Sequence, residues 1–447
     1  MKLFGTDGIR GKANQSPMTG EIAFEIGRAA AYVLKKKHGR DLILIGKDTR
    51  LSGYMLESAL TSGICSMGVN VVLVGPMPTP GIAFAARSFR VDAGIVISAS
   101  HNPFDDNGIK LFGSRGFKLP DSVETEIERI MFSRKLGRIR PKGAEIGKAY
   151  RVDDASGRYI EYVKATFPKR KTLDGVKIVI DCANGASYKI SPLVLGELGA
   201  DVIAINDKPD GKNINANCGS TYPEAMQKAV MEYGADIGIA HDGDGDRTIF
   251  CDEKGEIVDG DKVMAICAMD MKKEKILKNN IVVATVMSNI GFEIFLKKIG
   301  VKIVRTKVGD RYVVEEMLRR GCNLGGEQSG HIIFMDHNTT GDGIITALQV
   351  LAIMCKTGKP LSKLSPAIPI YPQVLLNVQV PKPESIENFP AVMTAIRKAK
   401  KRLKKGRILV RPSGTEPKIR VMVEGNNMRI VTTIAEELAE VIESKMG

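Results

Sequence analysis

No stretch of this chain approaches the roughly 18 consecutive apolar residues that a membrane-spanning helix needs, so no membrane partner is expected. Aromatic residues make up only 5% of it and do not interleave with the basic residues, which leaves base stacking little to work with. Cysteine is sparse: seven residues, at 65, 182, 218, 251, 267, 322 and 355, odd in number and never spaced as CxxC. That spacing argues against a disulfide or zinc framework and for reduced thiols in a cytoplasm. Low-complexity sequence is absent. The opening MKLFGTDGIRG turns polar and glycine-rich within five residues and does not read as a secretory signal.

What is present is ordinary in bulk and unusual in its loops. The chain has 447 residues, 43% apolar and 26% charged, a length that calls for three or four domains rather than one core. Its net charge of +14 suits either nucleic acid or phosphorylated metabolites. Eight of the eleven residues from Arg397 to Arg407 are Lys or Arg, but Val392, Ala395, Ile396 and Leu403 set a helical apolar spacing through them. The run therefore reads as a solvated helix face, and no nucleic-acid partner is expected.

A local grammar recurs. A short β-branched run ends in a Gly/Asp/Asn-rich loop near an amphipathic helix, as at 42–45 before GKDTRLSG, at 178–180 before DCANGASY, and at 281–286 before MSNIG. Short continuous apolar runs suit strands buried on both faces, and their alternation with helices such as 21–37 indicates α/β domains. Boundaries are expected near 155, 252 and 365, with the three prolines of 366–372 as a hinge linker and a small α+β domain at 373–447.

Four loops carry chemistry. Residues 91–112 open as a strand, break into Ser98-Ala99-Ser100-His101-Asn102-Pro103, and return through an Asn107-Gly108 pair that reads as a hairpin turn before Lys110. A serine at the carboxyl end of a buried strand stands where open α/β sheets bind ligands. Its hydroxyl is a weak nucleophile that needs a base, a metal, or a transferable group already attached. The loop is not GxSxG, and Ser100-His101-Asn102-Pro103 also suit a plain capped turn. Next, Asp242-Gly243-Asp244-Gly245-Asp246-Arg247 alternates carboxylates with glycines, so three oxygens can converge on a hard divalent cation such as Mg²⁺. An EF-hand is excluded, because Arg247 stands where that loop needs glycine and a strand follows at once. Gly325-Gly326-Glu327-Gln328-Ser329-Gly330-His331 offers acceptors and donors suited to sugar hydroxyls or an amine, though a glycine-rich turn is the simpler reading. Arg411-Pro412-Ser413-Gly414-Thr415-Glu416-Pro417, with Arg420 beyond, joins two guanidiniums, two hydroxyls and loop amides into a phosphate cradle that is not a Walker A loop.

Taken in order, FGTDGIRG (4–11), SASHNPFDDNGIK (98–110), DGDGDR (242–247), GGEQSGH (325–331), TTGDG (339–343) and RPSGTEPKIRVMVE (411–424) resemble the α-D-phosphohexomutase superfamily over essentially the whole chain. The resemblance implies three similar mixed α/β sheet domains and a smaller C-terminal one around a central active-site cleft, the last able to close through the proline linker. It implies a phosphosugar mutase in which Ser100 is a phosphoserine that passes its phosphoryl group to a hexose monophosphate. The resulting bisphosphate turns around and returns its other phosphoryl group. Mg²⁺ would be held by Asp242, Asp244, Asp246 and an oxygen of phospho-Ser100. Lys110 and Arg10 would manage protons, with His101 and His331 nearby, and a lysine base would need the depressed pKa that neighbouring cations provide. Glu327, Ser329 and His331 would grip the sugar, and Arg411, Ser413, Gly414, Thr415 and Arg420 the non-reacting phosphate. Arg247 would approach ligand or phosphoserine. A hexosamine or glucose bisphosphate would serve as activator and intermediate, with a homodimer as the candidate assembly.

Within the superfamily, Gln328 in GEQSGH resembles the branch that interconverts glucosamine 6-phosphate and glucosamine 1-phosphate and feeds UDP-N-acetylglucosamine synthesis. The mannose/glucose phosphate branch, which tends to have methionine there, is the alternative. A basic nucleic-acid-binding protein is the remote one.

Overall fold

The computed structural model describes residues 3–5, 7–35, 40–133, 135–366, 368–381, 384–403, 406–412 and 418–446. They divide into two compact units, one of residues 1–286 with 304–366, the other of 287–303 with 367–447.

The first sheet has six strands: β1 (Ile9–Lys12), β2 (Leu42–Lys47), β3 (Asn70–Pro76), β4 (Ala93–Ile97), β5 (Asp106–Gly113) and β6 (Ala149–Arg151), in the order β1-β5-β4-β2-β3-β6. β2 pairs in parallel with β3 and β4, while β5 runs antiparallel to β4 and β1, so the sheet is mixed. Helices Gly20–Leu34 and Ser52–Cys65 lay Ile26, Leu56, Leu60 and Ile64 onto Ile43, Ile45, Ile95 and Ile97. Each such fully buried side chain contributes about 1.5–3 kcal/mol, and the continuous apolar strands supply them in series.

The second sheet repeats the plan with β7 (Lys177–Asp181), β8 (Asp201–Ile205), β9 (Ile237–His241), β10 (Thr248–Asp252) and β11 (Ile257–Val258), ordered β11-β10-β9-β7-β8. The third has β12 (Ile281–Thr285), β13 (Lys302–Thr306), β14 (Leu324–Gly326) and β15 (Ile332–Phe334), ordered β13-β12-β14-β15. In all three, a strand paired in parallel with its neighbour doubles back as an antiparallel hairpin: β4–β5, β9–β10 and β14–β15. The serine, aspartate and Glu/Ser/His loops are the connections of those three hairpins. They fill one topological slot three times.

The fourth sheet is smaller and antiparallel: β16 (Gln373–Gln379), β17 (Gly406–Pro412) and β18 (Lys418–Gly425), ordered β16-β18-β17. Helices Pro390–Leu403 and Met428–Met446 cover it with Val392, Ile396, Ile434, Leu438 and Ile442 against Ile419, Val421 and Val423. Arg397, Lys398, Lys400, Lys401 and Arg402 all face solvent, so the basic run is a helix surface as far as Arg402, whereas Arg407 lies in β17 and pairs with Glu424. The final helix, Met428–Met446, has no counterpart in the sequence reading.

One local expectation fails. Asn107-Gly108 is not a turn. Both residues lie inside β5, opposite Gly11 and Arg10 of β1, and the turn is made by the residues between β4 and Asp106. Asn107 donates through its amide to Ser52 Oγ at 2.8 Å and accepts from the Gly108 N–H at 2.8 Å. Gly108 is needed for close approach, since a Cβ there would sit 2.6 Å from the Ser98 carbonyl oxygen and 2.9 Å from that of Ile9. The dipeptide has turn chemistry, but tertiary crowding decides its use.

Candidate active site

β4 ends at Ile97, and Ser100 follows in the left-handed region at φ +53°, a conformation that costs a non-glycine residue about 1–3 kcal/mol and persists only when its surroundings impose it. Its backbone N–H donates to Ser98 Oγ at 2.9 Å, and its side-chain hydroxyl donates to Asp242 Oδ2 at 2.6 Å. The aspartate loop closes onto it because Gly243 leaves room: a Cβ there would lie 2.7 Å from the Ser100 carbonyl oxygen. The serine hydroxyl and the first carboxylate of the acidic loop, 142 residues apart, are thus hydrogen-bonded and buried.

Asp242, Asp244 and Asp246 are all buried and bring carboxylate oxygens within 4.8 Å of one another. Burial, then the charges of Asp246 and Asp244, push the Asp242 carboxyl well above the usual range. Asp246 is raised by burial and then by Asp244. Asp244 alone is lowered: burial would raise it, but the charge of Lys110 and the hydrogen bonds from Lys110 and Thr79 together outweigh burial. Its Oδ2 accepts from Lys110 Nζ at 2.8 Å and from Thr79 Oγ1 at 2.6 Å. Asp244 Oδ1 and Asp246 Oδ1 are buried with no hydrogen-bond partner. Converging carboxylates that repel one another and hold two unused buried oxygens fit a hard divalent cation.

Lys110 sits in a different field from the one expected. Its ammonium lies 2.8 Å from Asp244, 3.3 Å from Asp7 and 3.7 Å from Asp246, and the Ser100 hydroxyl is not among its partners. Burial would depress its pKa, but the three carboxylates raise it well above the usual lysine value. The expected depression by neighbouring cations is therefore corrected: as folded, Lys110 is a buried cation among acids. His101 is the group that cations depress. Burial first, then Arg247 and Arg10, bring it to about 3, so its imidazole is neutral, lies 3.4 Å from Ser100 Oγ, and takes a hydrogen bond from Arg247 Nη1 on Nδ1. Arg247 also donates its backbone N–H to Asp242 Oδ1 at 3.1 Å. Arg10 pairs with Asp7 and reaches the Ala99 carbonyl and Asn102 Oδ1, each at 3.5 Å.

From the third hairpin, His331 enters the same neighbourhood. Its Nε2 lies 3.8 Å from Asp246 and 3.7 Å from Asp310, and both ring nitrogens are buried without a hydrogen-bond partner. Glu327 accepts the Gly309 N–H at 3.2 Å on Oε1 and the exposed Ser329 hydroxyl at 3.4 Å on Oε2. Gln328 is turned aside, its amide donating to Asp259 Oδ2 at 3.2 Å. The TTGDG segment is structural: Asp342 caps helix Gly343–Thr357 through the N–H groups of Ile344 and Ile345 and takes the Tyr159 hydroxyl at 2.7 Å.

The sequence reading missed Asp7, Lys118 and Asp310. Lys118 bridges Asp7 and Asp310, at 2.6 Å for the latter. Lys110 in turn joins Asp7 to Asp244 and Asp246, and His331 lies between Asp246 and Asp310, so these side chains form one connected network. Burial would raise Asp7, but Lys110, Lys118 and Arg10 hold it well below the carboxylate range. Asp7 lies within the FGTDGIRG motif and was available there. Lys118 and Asp310 sit in no comparable pattern.

In the other unit, Arg411 of β17 stands directly opposite Arg420 of β18. Burial and then the like charge of Arg420 lower the Arg411 pKa, an arrangement that favours an anion nearby. Ser413, Gly414 and Thr415 lie outside the described residues.

A hydroxyl held against carboxylates that want a cation, on repeated α/β sheets, defines the phosphoryl-transfer class of enzyme. The chain belongs to the phosphoglucomutase/phosphomannomutase family, whose models match it as four successive domains: alpha/beta/alpha domain I at residues 1–138, domain II at 157–255, domain III at 259–371 and the C-terminal domain at 375–441. It is an enzyme, an isomerase of the phosphohexomutase kind. It is 60% identical to the phosphoglucosamine mutase of Geobacter metallireducens, over 100% of this chain and 99% of that one. A phosphoglucomutase/phosphomannomutase family protein from Burkholderia thailandensis superposes with a TM-score of 0.80 at 24% identity, covering 99% of this chain and 97% of that one. N-acetylphosphoglucosamine mutase from Aspergillus fumigatus, solved in complex with GlcNAc-6P and magnesium, does so with a TM-score of 0.69 at 18% identity, covering 99% and 95%.

Proposed function

We propose that this chain is a phosphoglucosamine mutase, interconverting glucosamine 6-phosphate and glucosamine 1-phosphate through a phosphoserine at Ser100 and a bisphosphorylated sugar, in a cytoplasm where it supplies UDP-N-acetylglucosamine synthesis. The observation that carries the reading is the 2.6 Å hydrogen bond from Ser100 Oγ to Asp242 within a buried carboxylate trio. The name of the 60% identical Geobacter relative favours glucosamine phosphates over the mannose/glucose alternative. Seven free cysteines suit a reducing compartment.

In the forward step the Ser100 Oγ–P bond breaks and a bond forms from phosphorus to the sugar hydroxyl. The serine oxygen keeps the electron pair of the broken bond, and the hydroxyl proton passes to the enzyme. Asp242, Asp244, Asp246 and an oxygen of phospho-Ser100 would hold Mg²⁺, which when bound supplies charge neutralisation during transfer. The magnesium present in the Aspergillus complex supports that choice of ion. His331, with two open ring nitrogens beside Asp246 and Asp310, is suited to take the proton and return it. Lys110 and Arg10 keep the carboxylates around the transfer site paired. Neutral His101 orients Arg247 toward the serine. Glu327 and Ser329 grip the sugar, and Arg411 and Arg420, with Ser413, Gly414 and Thr415, hold the phosphate that does not react. A hexosamine or glucose bisphosphate loads Ser100.

Intact mass before and after incubation with glucose 1,6-bisphosphate tests the carrier: one added phosphate mapping to Ser100 is expected. Comparing kcat/KM for glucosamine, glucose and mannose 1-phosphates tests the substrate, and equal or better use of the mannose phosphate would overturn the assignment.

A further inference from the structure

The segment Asp48-Thr49-Arg50 after β2 takes no part in the chemistry above, yet Asp48 and Arg50 are among the most deeply buried charged residues of the chain. All five N–H donors of the Arg50 guanidinium are used. Nε donates to Asp48 Oδ2 at 2.8 Å. Nη1 donates to the carbonyl of Asp106 at 3.0 Å and to that of Pro103. Nη2 donates to the carbonyls of Ser100 at 3.0 Å and Asn102 at 2.8 Å. Three carbonyls of the loop joining β4 to β5, and that of the first residue of β5, therefore converge on one planar cation. The Asp48 oxygen that takes Nε also takes the Ser98 hydroxyl at 2.6 Å, and Ser98 Oγ in turn receives the Ser100 N–H. From the second domain, Asn215 Nδ2 donates to the same Ser100 and Asn102 carbonyls at 2.9 and 3.0 Å.

Ala99 is the one apolar side chain of this loop that is fully buried, and Ser100 beside it occupies a disfavoured conformation. The fork of donors fixes the loop backbone, because carbonyls bound to one rigid guanidinium cannot rotate independently. We infer that Arg50 is a positioning residue for the reaction: with Asn215 it holds the Ser100 backbone in the left-handed turn that aims the hydroxyl at Asp242. The inference rests on the reading of Ser100 as phosphoryl carrier. Lysine would keep the charge at this position but not the five-donor fork.

The test uses Arg50→Lys and Asn215→Ala in the full chain. With glucosamine 1-phosphate, Arg50→Lys is expected to lower kcat about 30- to 100-fold and Asn215→Ala about tenfold, with KM within about threefold of the parent. Phosphate loading of Ser100, followed by intact mass, slows by the same factors. Hydrogen exchange at the amides of residues 98–106 accelerates at least about tenfold in both variants, while amides of β2 and β9 keep parent rates. Parent-like kcat and exchange in Arg50→Lys would overturn the inference. So would exchange accelerated across the whole sheet, the mark of a residue that only supports the core. If Arg50→Lys does not fold, Asn215→Ala is read by the same two outcomes. A parent protein that neither turns over glucosamine 1-phosphate nor takes phosphate on Ser100 would refute the functional reading instead, and the exchange comparison would still decide the positioning role.

Discussion

The β9–β10 and β17–β18 pairs are both antiparallel, yet they concentrate opposite charges. The first gathers Asp242, Asp244 and Asp246 away from water, where burial and mutual repulsion push two of the three carboxyls up. The second sets Arg411 against Arg420 across two strands, where burial and like charge push Arg411 down. In each case the folded chain has assembled a cluster that an ion of opposite charge relieves, a cation at one and an anion at the other. The strands supply the rigidity and the register. The side chains set on that frame, aspartates in the β9–β10 loop and arginines on β17 and β18, choose the sign of the ligand.

The largest expected effect tests the acidic side of that contrast. Ser100→Ala should lower kcat by at least about a thousandfold while changing stability by only about 1 kcal/mol, since one hydroxyl–carboxylate hydrogen bond is lost. A loss of less than tenfold would leave the carboxylates with no partner in the chemistry. Chelation with EDTA should abolish turnover, and Mg²⁺ should restore it. Mg²⁺ at about a hundred times its Kd should also stabilise the fold by about 2.7 kcal/mol, read as a raised thermal midpoint. That rise should vanish in Asp242→Asn and Asp246→Asn, and its persistence would break the comparison at its acidic end.

The basic end is tested by Arg411→Ala, which should raise KM roughly tenfold or more with kcat within about threefold, the pattern of lost uniform binding to a phosphate. An unchanged KM would leave the arginine pair without its anion.

A smaller effect separates the imidazoles from the carboxylates beside them. Burial, with Arg247 and Arg10, depresses His101 from 6.5 to about 3, and burial depresses His241 from 6.5 to about 4. Below pH 6.5 the unfolded chain binds protons that the native histidines refuse. Their contribution is therefore complete above pH 6.5 and declines as pH falls toward 4, by at most about 1.4 kcal/mol per pH unit per histidine. Urea midpoints at pH 7.5, 6 and 5 should show the decline, and His101→Asn should make it shallower. The smallest effect belongs to Gln328→Met. Because that amide is spent on Asp259, the ratio of kcat/KM between glucosamine and mannose phosphates should move less than about threefold. A tenfold shift would return Gln328 to the sugar.

The reactive loops were legible in the sequence for a local reason. Alternating Asp-Gly has few other uses, and the serine loop, which alone also suits a capped turn, gains its meaning from that acidic partner. The strands were legible too, as short apolar runs. The turn assigned to Asn107-Gly108 was misplaced because the same two residues serve equally to let β1 and β4 crowd against β5. Lys118 and Asp310 escaped notice because their meaning lies in a contact across 192 residues of sequence, which no local pattern announces. The lysine pKa was misjudged for the same reason: its sign depends on whether Asp7, Asp244 and Asp246 or Arg10 and Arg247 stand nearest.

By itself, then, the sequence determined which chemical groups the loops carry and on which strand ends they stand, since both follow from residue type and short-range periodicity. Only the tertiary structure decided what those side chains are. Burial and contacts between distant segments set Lys110 among acids and leave His101 neutral beside Arg247. They also bind three carbonyls of the serine loop and the first carbonyl of β5 to Arg50. Electrostatic character in a buried site is a property of the neighbours, and the neighbours are chosen by the fold.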